Sequence, residues 1–172
     1  MTGQTGKIGT NISEELFRYA GLEIRFLLTS SDCNGTMSVF EFLVPANFKI
    51  PGPAHSNDGY EEMVYGLEGT LTWTVNDTDV QVGPGQALCI PRGAAHRWAN
   101  NGTVPAKQLS VISPGVMGPE YFREVRQLLS AGEPPNPATM AETMRRHGMI
   151  PVAPAATPRT LVRDSKLTIP PD

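Results

Sequence analysis

At 172 residues the chain has the size of one domain and can bury a substantial single core. Its hydrophobic content of 40%, charged content of 18% and net charge of −3 describe an ordinary soluble globular protein and exclude nucleic acid as an expected partner. No apolar run approaches the ~18 residues of a membrane span, and "MTGQTGKIGTNISEE" lacks the apolar core of a secretory signal. Cys33 and Cys89 are too few for a disulfide framework, so the expectations are no membrane partner and a reducing cytoplasm.

Residues 1–21 read as an arm, with a short helix predicted over "ISEELFRYAG", capped by Asn11 or Ser13 and ended by Gly21. Residues 22–113 read as β throughout. The candidate strands are "LEIRFLLT", "TMSVFEFLVP", "EEMVYGLEG", "TLTWTV", "DVQVG", "ALCIP", "HRWAN" and "AKQLSVIS", separated by Gly, Pro and Asn-Asp turn signals. "VNDTDV" predicts a hairpin with Asn76-Asp77 at its reversal. About eight short strands at this spacing predict a barrel or jelly roll. Cys89, inside an apolar run, is expected to be a buried and inert thiol.

From residue 114 to 148 the period changes to that of helices. Helices are predicted over 119–131 and 137–147, each with proline at its first position, and Asn136 and Gly148 bound the second. Phe122, Val125 and Leu129 form one inward stripe, Met140 and Met144 the other. Residues 149–172 are proline-rich and are expected to be an extended tail that docks on something. The β-capable stretches of arm and tail suit strand addition and suggest a homodimer with segments crossing between subunits.

Two polar clusters interrupt the β zone. In the stretch "PAHSNDGYEEMVYGLEG", strand alternation makes His55 and Asn57 point together, and Glu62, Val64 and Gly66 share a face. Glu61 is sent to the opposite face, and Asp58 beside Gly59 reads as a turn former. In "GQALCIPRGAAHRWAN", Pro91 and Gly93 form a turn, and His96 opens a strand whose inward face it shares with Trp98. Trp98 is therefore a candidate apolar wall for a substrate, with plain core packing as its alternative, whereas Trp73 reads as core or interface. Arg25, Glu41 and Gln108 lie on strands whose facing stays open, and His147 reads as a cation at a helix end.

These clusters resemble the two sequence motifs of the cupin superfamily. Gly85, Pro91, Gly93, His96 and Asn100 match every fixed position of the second motif, G-x5-P-x-G-x2-H-x3-N. His55, Glu62 and Gly69 match the first, H-x-H-x3/4-E-x6-G, with Asn57 in place of its second histidine. The resemblance covers residues 22–113. It implies an all-β core, a jelly-roll β-barrel, here with a short N-terminal helix and two C-terminal helices, and a bound metal. Carried over by position, it implies His55, Glu62 and His96 as metal ligands, with Asn57 in the fourth ligand position.

Two imidazoles and a carboxylate are the ligand set that holds non-haem iron with positions left open. Asn offers only a neutral and weaker oxygen donor. The leading expectation is thus an Fe(II) dioxygenase acting on a small organic molecule, with Glu62 catalytic and Trp98 against the substrate. Zinc, nickel or manganese would suit an alternative, a non-redox isomerase, cyclase or lyase in which Glu62 or a water moves the proton. A barrel that holds a small ligand without turnover is the third reading, favoured by the loss of a ligand at Asn57.

Overall fold

A computed structural model of the chain describes residues 16–50, 52–130, 136–152 and 160–161. Strand β1 (Leu16–Tyr19) forms a hairpin with β2 (Leu22–Leu28). Here the structure corrects the predicted N-terminal helix. Ala20 and Gly21 both have positive φ, 47° and 86°, the geometry that reverses a two-residue hairpin. "LFRY" then alternates along β2, burying Phe17 and pairing Arg18 with Glu23 at 2.8 Å. The caps assigned to that helix, Asn11 and Ser13, lie outside the described residues.

A one-turn 3-10 helix (Ser30–Cys33) leads to β3 (Ser38–Val44). There follow β4 (Ala54–Asn57), β5 (Glu61–Glu68), β6 (Leu71–Val75), β7 (Thr78–Val82), β8 (Ala87–Ile90), β9 (His96–Ala99) and β10 (Ala106–Ser113). Each strand predicted between 22 and 113 forms. Asn76 and Asp77 adopt φ of 45° and 62°, so the β6–β7 hairpin closes where the Asn-Asp signal places it, with Val75 opposite Thr78.

The strands make two six-stranded sheets rather than one closed barrel, a jelly-roll arrangement. One sheet runs β1-β2-β3-β10-β5-β8. The other runs β11-β4-β9-β6-β7-β12, where β11 (Met149–Val152) and β12 (Thr160–Leu161) come from beyond the helices. Strict alternation turns Phe40, Phe42 and Val44 of β3 inward, with Val64 of β5 and Ile112 of β10. The same inward rows carry polar side chains: Glu62 on β5, and Gln108 and Ser110 on β10. Gln108, whose facing alternation alone leaves open, joins the sheets. Its amide accepts from Trp73 Nε1 at 2.9 Å and donates to the Val82 carbonyl at 2.8 Å. Arg25 faces outward, and Glu41 pairs with Lys107 at 2.9 Å.

Helix α1 (Pro119–Leu129) lays Phe122 against Phe17, Phe26 and Phe40 at 5.5, 5.7 and 6.0 Å between ring centroids. Helix α2 (Pro137–Arg146) is capped by Asn136, whose side chain accepts from Ala138 N at 2.8 Å, and buries Met144. Gly148, at φ 74°, ends it and turns the chain into β11, which pairs antiparallel with β4. In the tail, β12 adds in parallel to β7 of the same chain, and the rest of residues 153–172 lies outside the described residues. None of the described helices is long and apolar enough to cross a membrane.

Cys89 is exposed, against expectation. It sits on edge strand β8, where Ile90 takes the inward position and leaves its neighbour outside. Among the described glycines, Gly66 marks the tightest approach. A Cβ there would stand 1.9 Å from the Gly83 carbonyl oxygen, where β5 meets the Gly83–Pro84 backbone. Backbone on both sides cannot yield cheaply, so Gly66→Ala should destabilise the fold by about 3 kcal/mol or more, read by denaturant titration. An unchanged midpoint would show that the two segments separate easily.

Candidate functional site

Antiparallel pairing of β4 with β9 sets His55 directly opposite His96. Their rings lie 4.4 Å apart, inclined at 56°. Glu62 arrives from the other sheet, on the inward row of β5, and its Oε2 stands 3.4 Å from His96 Nε2. At that distance the contact is a long ion pair rather than a well-formed hydrogen bond. The other carboxylate oxygen, Oε1, accepts from Ser110 Oγ at 2.7 Å.

The histidine is oriented from behind. His96 Nδ1 lies 2.9 Å from the Ala94 carbonyl, which can only accept, so Nδ1 carries the hydrogen and Nε2 faces the site. A carbonyl behind one ring nitrogen is how a protein orients an imidazole to present the other. Burial opposes charge on both partners, yet their mutual contact outweighs it. With help from the Ala94 carbonyl, the His96 pKa is raised; with help from Ser110 and His55, the Glu62 pKa is lowered. His55 behaves oppositely. Loss of hydration and then the His96 charge pull its pKa down to about 3, against a smaller upward pull from Glu62, so it stays neutral.

Asn57 shares the inward side of β4 with His55 and is 1% exposed. Among the described residues, neither its amide oxygen nor its amide nitrogen has a hydrogen-bond partner. Its backbone is held, since Gly93 N donates to the Asn57 carbonyl at 3.0 Å and ties the two motifs together. Asn100 turns out to be a clasp. It donates to the Val44 and Val104 carbonyls at 3.2 and 2.9 Å and accepts from Gly102 N at 2.9 Å.

Trp98 is half-buried and spends its ring on aromatic neighbours, Phe42 at 5.5 Å and Phe48 at 6.1 Å. The indole beside the histidine is that of Trp73, 6.2 Å from the His96 ring and 1% exposed. Ser110 was not singled out by its sequence context, although it shares an inward row with Ala106, Gln108 and Ile112. Glu61 faces outward as expected and pairs with Arg92 at 3.2 Å. His147 lies apart, bonded to Glu124 at 3.1 Å.

As they stand, no three His, Cys, Asp or Glu side chains among the described residues are arranged to enclose a metal ion. The donor chemistry nonetheless fits one. His96 Nε2 is buried without a hydrogen-bond partner, His55 is neutral, Glu62 is anionic and the Asn57 amide is unspent. These groups are the borderline nitrogen and oxygen donors that a first-row divalent ion takes.

The family model for the cupin domain matches residues 42–112. Residues 42–112 form a cupin domain. This cupin is 33% identical over 103 residues to the tetracenomycin polyketide synthase protein TcmJ of Streptomyces glaucescens, a match covering 58% of this chain and 66% of that protein. It is similar to the polyketide cyclase RemF from Streptomyces resistomycificus, at 28% identity and a TM-score of 0.48, covering 54% of this chain and 65% of that one. The match therefore spans less than two thirds of either protein. KdgF from Halomonas sp. superposes with a TM-score of 0.54 at 14% identity, covering 64% of this cupin and 94% of its own chain, and shares the fold.

Two outcomes follow for metal affinity. Ser110→Ala removes one of the bonds that hold Glu62, and loss of such support should weaken divalent-metal binding about 10- to 100-fold in a competition titration. An unaltered affinity would place Glu62 outside the ligand set. Because the His96 pKa is raised, a proton competes with metal at Nε2 to a higher pH than in a free imidazole. Affinity should accordingly keep rising as pH climbs through and beyond about 6.5, the free-imidazole value. A flat profile across that range would show that His96 does not bind the ion.

Proposed function

We propose that this cupin is a metal-dependent, non-redox cyclase that acts on a polyketide-type small molecule. The observation that carries the reading is the buried Glu62, clamped by Ser110 at Oε1 and set beside His96 at Oε2. It is a carboxylate held ionised in a dry site, ready to take a proton from carbon. The 33% identity with a protein named for a polyketide synthase supports the substrate class. That similarity favours the non-redox alternative over the iron dioxygenase suggested by the ligand set alone.

His55, His96 and Glu62 would hold the ion, with Asn57 a weak fourth donor. When bound, a divalent ion supplies Lewis acidity that polarises a substrate carbonyl and acidifies the adjoining C–H bond. The chain's own residues do the rest. Glu62 accepts the proton from a carbon between two carbonyls, and the electron pair of that C–H bond passes into the enolate. The enolate carbon bonds to a second carbonyl carbon of the same molecule, whose C–O π pair moves to oxygen. Glu62 then returns its proton to that oxygen. The product is isomeric with the substrate, and later loss of water makes the new ring aromatic. No oxidant enters. The aromatic wall of Phe42, Trp73 and Trp98 keeps this corner apolar and suits a flat, unsaturated substrate.

The test incubates zinc-loaded protein, with and without oxygen, with a linear poly-β-carbonyl thioester. The expected outcome is a product of equal mass, or lighter by water, formed at the same rate in both atmospheres, and Glu62→Gln should slow it by about 10²–10⁴-fold. Product formation that requires oxygen would return the assignment to a dioxygenase. Asn57→His supplies an imidazole in place of an amide, so it should tighten zinc binding while slowing turnover, because a coordination position open to substrate is filled. Unchanged zinc affinity would remove residue 57 from the ion's surroundings.

A further inference from the structure

Tyr60 lies between the two motif strands, immediately ahead of β5. Burial alternates here, with Tyr60 buried, Glu61 exposed and Glu62 buried, so the phenol occupies the same inward row as the Glu62 carboxylate. The side chain is 1% exposed and held in place from several directions. Gly148, at φ 74°, brings bare backbone against its ring, where a Cβ would come within 3.1 Å of Tyr60 Cε1. Asp58 N donates to the Gly148 carbonyl at 2.7 Å, fixing the loop that carries Tyr60 to the segment that covers it.

With its ring so confined, the hydroxyl is left with no hydrogen-bond partner among the described residues. A buried unpaired hydroxyl costs about 1–3 kcal/mol, and phenylalanine would fill the same space without that penalty. Nothing in the packing therefore explains the oxygen. Two residues apart in an alternating row, the phenol and the Glu62 carboxylate are buried on the same side of the chain. A confined donor beside a proton acceptor is what a carbonyl oxygen needs if its α-carbon is to lose a proton, because charge develops on that oxygen as the proton leaves.

We propose that the Tyr60 hydroxyl is a substrate-binding hydrogen-bond donor, reserved for a carbonyl or enol oxygen of the molecule whose C–H bond faces Glu62. The identity of the acceptor rests on the cyclase reading above; the availability of the hydroxyl does not.

The experiment compares wild type, Tyr60→Phe and, as control, Tyr65→Phe, which alters a solvent-facing phenol on β5. Thermal unfolding is measured without ligand, and binding of the β-diketone 2,4-pentanedione to the zinc-loaded protein is measured by calorimetry. Tyr60→Phe should unfold at the wild-type temperature or slightly above it, yet bind the diketone at least about tenfold more weakly, as expected for a lost bond to an oxygen that bears charge. Tyr65→Phe should change neither. A midpoint several degrees lower in Tyr60→Phe would show that the hydroxyl is spent inside the fold, through a buried water for instance, and would overturn the proposal. Unchanged diketone affinity in Tyr60→Phe would overturn it equally. If wild type itself fails to bind the diketone, the poly-β-carbonyl substrate class falls, and the unfolding comparison alone decides for or against a free Tyr60 donor.

Discussion

The contact of Ser110, Glu62 and His96 joins the two sheets through a charge that has been taken out of water. Ser110 and Glu62 belong to adjacent strands of one sheet, and His96 to a strand of the other. An isolated carboxylate in this interior would be strongly unfavourable, and its neutral form would prevail. Here the hydroxyl on one side and the imidazole on the other keep it ionised, and the sheets are held at the spacing those contacts require. The interaction that makes the interior tolerable is therefore the one that makes it reactive. Removing either partner leaves the carboxylate uncompensated, which is far more damaging than exchanging the whole set for apolar residues.

A second polar tie, Trp73 to Gln108 to the Val82 carbonyl, spans the same gap without any charge. Every polar atom in it has a partner, so it behaves as structure. Asn57, Tyr60 and His96 Nε2 contrast with it, because each is buried with side-chain polar atoms that have no hydrogen-bond partner among the described residues. Native interiors keep few such atoms. Among the described residues, the buried side-chain atoms left without a hydrogen-bond partner are all in the neighbourhood of the two motifs.

Much of this organisation was legible in the residues. Period-two alternation located β2, β3, β5 and β10, prolines at Pro119 and Pro137 opened both helices, and Asn76-Asp77 closed its hairpin. The matched motif spacings brought His55, Glu62 and His96 to one place, though as a ring contact and an ion pair. What failed did so for physical reasons. Leu16–Tyr19 carries helix-forming residues, but the left-handed pair Ala20–Gly21 and the edge of β2 recruit it as a strand. Cys89 looked buried because its neighbours are apolar, whereas position on an edge strand decides exposure. Trp73, read as core or interface, lies opposite Trp98 and brings its ring to 6.2 Å from that of His96, a contact across β6 and β9 that strand alternation does not reveal. Ser110 and Tyr60 carry no motif, so their roles depend on which inward row they share.

The backbone at Asn57 is fixed from both sides. Strand β4 would be the edge of its sheet, free to shift, if β11 did not pair along it with Met149 opposite Asn57 and Pro151 opposite His55. On its other side, the Gly93 amide fixes the Asn57 carbonyl. The backbone at 57 is thus pinned by a segment that lies outside the matched domain, which ends at residue 112. An amide presented there meets the interior at the position where the first cupin motif carries an imidazole. The C-terminal helices and β11 are accordingly part of the site's construction. The segment that runs from α2 into β11 pairs along Asn57 and presses Gly148 against Tyr60, so it borders both unpaired side chains.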